Sequence, residues 1–256
     1  MRLLVTRPQP QAALWVQALR AGGCEAEALP LLRIVAAPDA APLHAAWQDL
    51  PGRDLVVFVS PNAVERFFAL RPVGVGWPVT TQAAAPGPGS ADTLQTAGVP
   101  ATQLLQPAPD AAQFDSEALW QRLQTEAWAG RRVLIVRGDG GREFLAERLR
   151  EAGAEVGFVQ AYARTLPLWG APEQALLREA LDAPRSHLWL LSSSEALAHL
   201  LHLAPGADWS AAQALASHPR IAERARAFGF GVVHEGLPSL PAVLLQVQRL
   251  QASAGR

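Results

Sequence analysis

RVLIVRGDGGREFLAERLREAGAEVGFVQAYART, residues 132–165, decides the fold. An apolar run, Val133–Val136, stops at an Arg-Gly turn. A helix over 142–152 follows, with Phe144, Leu145, Leu149 and Ala152 on one side, and Gly153 closes it. A second strand, Val156–Val159, comes next, then an extended exit through Gln160–Pro167. Strand, turn, helix, strand is the building block of an α/β sheet. The chain opens with the same block, RLLVTRPQPQAALWVQALRAGGCEAEALPLLRIV, at residues 2–35. The two copies align without a gap at an offset of 130 residues: Arg7 falls on Arg137, Leu19 on Leu149, Gly23 on Gly153 and Glu25 on Glu155.

Two further echoes lie downstream. VVFVSPNAVERFFAL (56–70) matches LWLLSSSEALAHLL (188–201), with Ser60 on Ser193. AAAPGPGSADTLQTAGV (83–99) resembles ALASHPRIAERARAFGF (214–230), with Pro88 on Pro219. The chain is therefore an internal duplication, and two repeats are too few for a solenoid, which needs at least ~3. Two like α/β lobes facing each other fit better, with strands at 55–59, 79–85, 187–191, 214–217 and 232–234 among the expected elements. Continuous apolar strands such as Leu55–Val59 predict parallel sheets covered on both faces, a doubly wound α/β fold. Pro30, Pro38 and Pro167 border two extended segments that read as crossing linkers. The last helix is expected over 240–251, with a frayed tail after it.

Half of the 256 residues are hydrophobic and 18% are charged, which suits two packed domains rather than a disordered chain. A net charge of -1 provides no global field for nucleic acid or an anionic membrane. All 22 basic residues are Arg. The lack of Lys excludes a pyridoxal Schiff base and a P-loop lysine, and leaves Arg forks and backbone N–H groups to hold anions. Cys24 is the sole cysteine, which excludes an internal disulfide and reads as a buried thiol. The apolar run after Arg2 stops at Thr6, too early for a signal peptide, and no apolar stretch approaches the ~20 residues of a membrane span. A cytoplasmic protein is expected.

Ligands of open α/β sheets sit outside the carboxyl ends of the strands. Those ends carry Arg7, Ser60, Asn62, Gly87, Ser90, Arg137, Gly138, Ser192, Ser193, Ser194 and His218. Small, hydroxyl-bearing or Arg residues at helix N-termini offer N–H groups and a positive dipole end to anions. For any one of them, a cap or a turn is the simpler reading. Their occurrence in both copies favours an anion-binding cleft between lobes. Gly87-Pro-Gly89 and Gly138-Asp-Gly140 lack the third glycine of a dinucleotide fingerprint. His199 and His202 have no Glu or Cys neighbour to complete a metal site. Asp139 and Glu143 read either as an acid–base pair or as a solvated helix start.

The pieces VTRP (5–8), FVSPNAV (58–64), GPGSA (87–91), RGDGGREFL (137–145), GAEV (153–156), AYART (161–165) and HPRIAERARAFGF (218–230), in this order, resemble the uroporphyrinogen-III synthase family over nearly the whole chain. The resemblance implies two flavodoxin-like domains joined by a two-stranded linker. The halves would exchange, with residues 1–36 joining 166–256 and residues 37–165 forming the other domain. It implies a lyase that takes hydroxymethylbilane, expels water and closes the ring with the last pyrrole inverted, by way of a spiro intermediate. No cofactor or metal is implied. The substrate carries eight carboxylates, which suits the Arg and N–H lining, with Arg220 added to the binding set. A monomer is expected, with a possible transient hand-off from hydroxymethylbilane synthase. Tyr162, the sole tyrosine, matches the family tyrosine that assists loss of the hydroxyl. Two departures stand out. Val59 replaces a frequent Thr, and His218-Pro219-Arg220-Ile221 replaces Gly-Pro-Thr-Thr, which puts side-chain chemistry at Ile221 in doubt. The runner-up, a non-catalytic two-lobed anion-binding protein, differs from the enzyme by lacking turnover of hydroxymethylbilane.

Overall fold

The computed structural model describes residues 1–254. The chain divides into two compact units, Met1–Ile34 with Thr165–Arg256, and Val35–Arg164. Each is a five-stranded parallel sheet with helices on both faces.

The first unit holds β1 (Arg2–Val5), β2 (Ala26–Ala28), β10 (His187–Leu191), β11 (Gln213–Ala216) and β12 (Val232–Glu235), in the spatial order β12-β11-β10-β1-β2. Its helices are α1 (Gln11–Ala21), α7 (Ala171–Asp182), α8 (Ser194–Leu203), α9 (Pro219–Phe228) and α10 (Leu240–Ala254). The second unit holds β4 (Leu55–Phe58), β5 (Gln82–Ala84), β6 (Leu104–Leu105), β7 (Arg132–Arg137) and β8 (Glu155–Gln160), in the order β6-β5-β4-β7-β8. Its helices are α2 (Ala41–Gln48), α3 (Pro61–Phe68), α4 (Pro88–Thr96), α5 (Ser116–Leu123) and α6 (Phe144–Glu151). The remaining strands, β3 (Arg33–Ala36) and β9 (Tyr162–Thr165), form a two-stranded sheet of their own, and the unit boundaries fall inside them.

The two halves of the duplication exchange partners. β1 pairs with β10, with Leu4 opposite Trp189, while β7 pairs with β4, with Leu134 opposite Val56. Each sheet thus takes three strands from one half of the chain and two from the other. Strand alternation builds a core on each face. In the first unit Leu4, Trp189 and Leu191 face one core, while Leu3, Val5, Leu188 and Leu190 face the other. Trp189, Trp209 and Phe230 meet at centroid distances of 5.3, 6.1 and 5.2 Å. In the second unit Leu55, Val57, Val133 and Ile135 share one face, and Phe58 meets Phe67 at 5.4 Å. Such aromatic pairs contribute about 0.5–1.5 kcal/mol each beyond their buried area.

Element ends follow local chemistry. Ser60 caps α3 by accepting from the Ala63 N–H at 3.2 Å, with Pro61 in the first turn. Gly23 and Gly153, at matching positions of the duplication, follow α1 and α6 with φ of 80° and 93°. α6 begins at Phe144 rather than Arg142, because Gly140 and Gly141 hold φ of 112° and 130° and delay the first helical turn. β5 is shorter than the expected 79–85 strand. Thr81 is turned inward, where its hydroxyl donates to the Leu50 carbonyl at 3.0 Å. α10 continues to Ala254, three residues past the expected fray, and residues 255–256 of that tail lie outside the described residues.

Candidate functional site

In each unit the candidate residues lie at the carboxyl ends of the strands, with Gly87 and Ser90 after β5, His218 and Arg220 after β11, and the others at or beside the pair where the strand order reverses. In the second unit that point lies between β4 and β7, and in the first between β1 and β10. Crevices at the carboxyl ends of such strand pairs are where open α/β sheets hold ligands.

At the β4–β7 end, Tyr162 comes in from β9. The residue is 1% exposed, and its ring lies against Gly138. A Cβ on Gly138 would stand 2.8 and 2.9 Å from two carbons of that ring, so only glycine admits the tyrosine here. The Tyr162 hydroxyl has two neighbours. Ser60 Oγ lies at 3.0 Å, and Arg164 Nη2 donates to Oη at 2.9 Å. Arg164 is turned back over the phenol, 5.0 Å from the ring centroid. Its backbone N–H and Nη1 reach Asp139 Oδ1 at 3.3 and 3.5 Å.

Asp139 and Glu143 therefore do not pair with each other. Asp139 takes Arg164, and Glu143 takes Arg137 at 3.5 Å and Arg150 at 3.7 Å. Arg137 lies over the Phe158 ring at 3.9 Å. Asn62 is half-buried in the first turn of α3. Gly87 is the N-cap of α4, and a Cβ there would meet Phe114 at 3.3 Å. Ser90 is 5% exposed and packed inside the first turn of α4, away from solvent.

At the β1–β10 end, Arg7 stands 4.0 Å over the Trp15 ring and donates from Nη2 to the Pro238 carbonyl at 3.4 Å. Burial pushes its guanidinium down to about 10. Ser192 is half-buried. Ser193 caps α8 by accepting from the Ala196 N–H at 3.4 Å, and Ser194 opens the helix in solvent. His218 caps α9, its Nδ1 accepting from the Arg220 N–H at 3.1 Å, and Arg220 is exposed. Ile221 is 8% exposed and belongs to the hydrophobic core beside β11, so its side chain has no polar role at this helix start.

Arg164 was not foreseen. A usable signal was present: residues two apart on a strand share a face, and Tyr162 and Arg164 are two apart on β9. His199 is taken up locally, with Nδ1 2.6 Å from the Leu31 carbonyl oxygen. Burial pushes the Cys24 thiol up, as for an inert core thiol. A groove of about 790 Å³ runs between α7 and the end of α8, but none of the candidate residues lines it. No helix among the described residues is long and apolar enough to cross a membrane.

Three comparisons bear on these geometries. A family model described as uroporphyrinogen-III synthase HemD matches residues 14–237. The chain is 37% identical to the uroporphyrinogen-III synthase of Salmonella typhimurium over 177 residues, 69% of this chain and 70% of that one. It is 32% identical to the Escherichia coli uroporphyrinogen-III synthase over 208 residues, 80% of each. In fold it is similar to a crystal structure of a mutant Thermus thermophilus uroporphyrinogen III synthase, with a TM-score of 0.58 at 18% identity over 99% of both chains. It is likewise similar to the Helicobacter pylori uroporphyrinogen-III synthetase, with a TM-score of 0.57 at 17% identity over 98% of this chain and 100% of that one.

Proposed function

The chain belongs to the uroporphyrinogen-III synthase family, and we propose that it acts as a cyclising hydro-lyase on hydroxymethylbilane, giving uroporphyrinogen III. Family membership places it in porphyrin biosynthesis. A purely anion-binding role has no support in these similarities.

The observation that carries the mechanism is the Tyr162 hydroxyl held between Ser60 and Arg164. Ser60 Oγ accepts from the Ala63 N–H, and Oη accepts from Arg164. Two hydroxyl protons remain for one Ser60–Tyr162 contact, so one proton is left over. When Ser60 donates to Oη, the phenol proton is the one released for an outside acceptor. In the first step the C–O bond of the hydroxymethyl group breaks, and its electrons leave with oxygen. Tyr162 hands that oxygen a proton, and water departs. The pyrrole nitrogen supplies electrons to the carbon left behind. The Ser60 hydroxyl holds the phenolate that remains. The substituted α-carbon of the last pyrrole bonds to the carbon left behind, giving a spiro centre. Its bond to the neighbouring bridge carbon then breaks, the bridge carbon rebonds to the other α-carbon of the same ring, and the proton lost there restores the phenol.

Tyr162 is covered by Arg164, so substrate reaches Oη by drawing that guanidinium aside. A substrate carboxylate competes with Asp139 for it, and the Asp139 contact at 3.5 Å is long enough to yield. Ring inversion itself rests on positioning, because a bound near-attack geometry decides which carbon closes.

The test is product analysis. Chelator-treated protein and hydroxymethylbilane are expected to give uroporphyrinogen III faster than spontaneous closure gives the uninverted isomer. Uninverted product alone, formed at the uncatalysed rate, overturns the proposal.

A further inference from the structure

The duplication places an arginine at equivalent strand ends of the two units, and only one of them has a carboxylate. Arg137 pairs with Glu143 at 3.5 Å. Glu143 is shared with Arg150 at 3.7 Å, and one nitrogen of Arg137, Nη1, is buried without a hydrogen bond. Arg7 also lies over an aromatic ring, Trp15, but has no carboxylate partner among the described residues. At the offset of 130 residues, Glu143 corresponds to Ala13. The first copy lacks the counter-charge that the second copy keeps.

A half-buried guanidinium without a carboxylate is costly, because desolvation is not repaid by a neighbouring charge. The lowering of Arg7 to about 10 reports that cost, yet leaves the group charged at neutral pH. Beside Arg7 lies a cavity of about 20 Å³, also lined by Ser192, Ser217 and Leu237. Ser192 and Ser217 directly follow β10 and β11, the next strands across the sheet. A space of ~10–15 Å³ holds one water. The cavity therefore suits the tip of a charged arm and not a pyrrole ring.

We infer that the Arg7 cavity is a carboxylate-binding site that takes one carboxylate arm of the linear tetrapyrrole, whereas the equivalent Arg137 end already has a carboxylate of its own. The inference rests on the reaction proposed above for the identity of the ligand. The planar fork of Arg7 supplies paired donors for a carboxylate, and Ser192 and Ser217 line the same cavity. The arm supplies the charge that Ala13 does not.

The experiment compares wild type with Arg7→Gln and Arg7→Lys, using sodium propionate as the probe and sodium chloride as the control. Without ligand, Arg7→Gln is expected to unfold at the same temperature as wild type or higher, because an amide replaces an uncompensated charge. Propionate is expected to raise the unfolding midpoint of wild type, to do so less for Arg7→Lys, and not at all for Arg7→Gln beyond the chloride control. With hydroxymethylbilane, Arg7→Gln is expected to raise KM by roughly 10–100-fold with a smaller change in kcat, the size of one lost charge-assisted contact. A destabilised Arg7→Gln with wild-type propionate response and KM overturns the inference. Should Arg7→Gln fail to fold, the inference is likewise overturned, since Arg7 is then a structural residue. If wild type makes no uroporphyrinogen III, the proposed reaction fails instead, and the propionate titration still decides whether Arg7 holds a carboxylate.

Discussion

Tyr162 Oη and Ser60 Oγ lie 3.0 Å apart although their residues are 102 positions apart in the chain. Ser60 does two things at once. It caps α3 and it holds the phenol, so the carboxyl end of β4 and the strand β9 are tied through one hydroxyl.

Tyr162→Phe keeps the ring against Gly138 and removes only the oxygen. The pyrrole already expels the hydroxyl, so the loss is expected at the low end of general-acid effects, roughly 10–100-fold in kcat. The isomer of the product should not change, because inversion depends on shape. Steady-state rates and product analysis check this, and a kcat within about twofold of wild type would return Tyr162 to a packing role. Ser60→Ala should cost about 1 kcal/mol of stability through the lost cap and reduce turnover less than Tyr162→Phe does.

Gly138→Ala tests the same site from below. Its methyl would press on the Tyr162 ring at 2.8 Å, and the neighbours there are a ring and the Arg164 guanidinium at 3.2 Å. The ring must shift, which moves Oη away from Ser60. The expected outcome is a kcat loss comparable to that of Tyr162→Phe, with about 1–3 kcal/mol of destabilisation from overpacking. Full activity in Gly138→Ala would show that the ring position is not needed.

Gly231→Ala separates stability from chemistry. A Cβ at Gly231 would run into the Ser210 carbonyl oxygen, a backbone atom that cannot rotate away. The turn into β12 would have to open. Destabilisation of at least about 1–3 kcal/mol is expected in urea unfolding. Unchanged unfolding would mean that the two backbone segments part easily.

Asp49 sets an acid-side dependence. Partial desolvation pushes its carboxyl up, but the hydrogen bond from Arg132 and the charges of Arg53 and Arg132 outweigh it and hold it below the usual range. Arg53 lies at 2.5 Å and Arg132 at 2.9 Å. A carboxyl lowered on folding contributes stability that is full above its unfolded value and is lost as pH falls through the folded one. Asp49 is 39% exposed, so solvent screening limits the effect to below about 1 kcal/mol. Asp49→Asn should therefore be less stable than wild type near about pH 7, and the gap should narrow as pH falls below about 4. Urea midpoints across that range check it, and a gap that persists in acid would contradict the ion-pair account.

The duplication, the strand and helix types and most of the caps were legible in the residues themselves. Those features depend on near neighbours: apolar runs of strand length, Ser60 and Ser193 before helices, Gly23 and Gly153 after them. Element ends were less so. The 79–85 strand shortened to Gln82–Ala84 because Thr81 found a buried carbonyl 31 residues away, a partner no local pattern announces. The pairing of strands lay beyond the residue pattern altogether. β1 and β7 carry nearly the same sequence signal, so either could join β10 or β4, and only the family resemblance implied the exchange. Parallel pairing is decided by which apolar faces close a core together, and that is how Leu4 comes to lie opposite Trp189. Tertiary structure alone also separated the two arginines. Arg7 and Arg137 read as equivalents in sequence, but a charge is defined by what surrounds it. One guanidinium has Glu143 within reach, and the other has a small cavity.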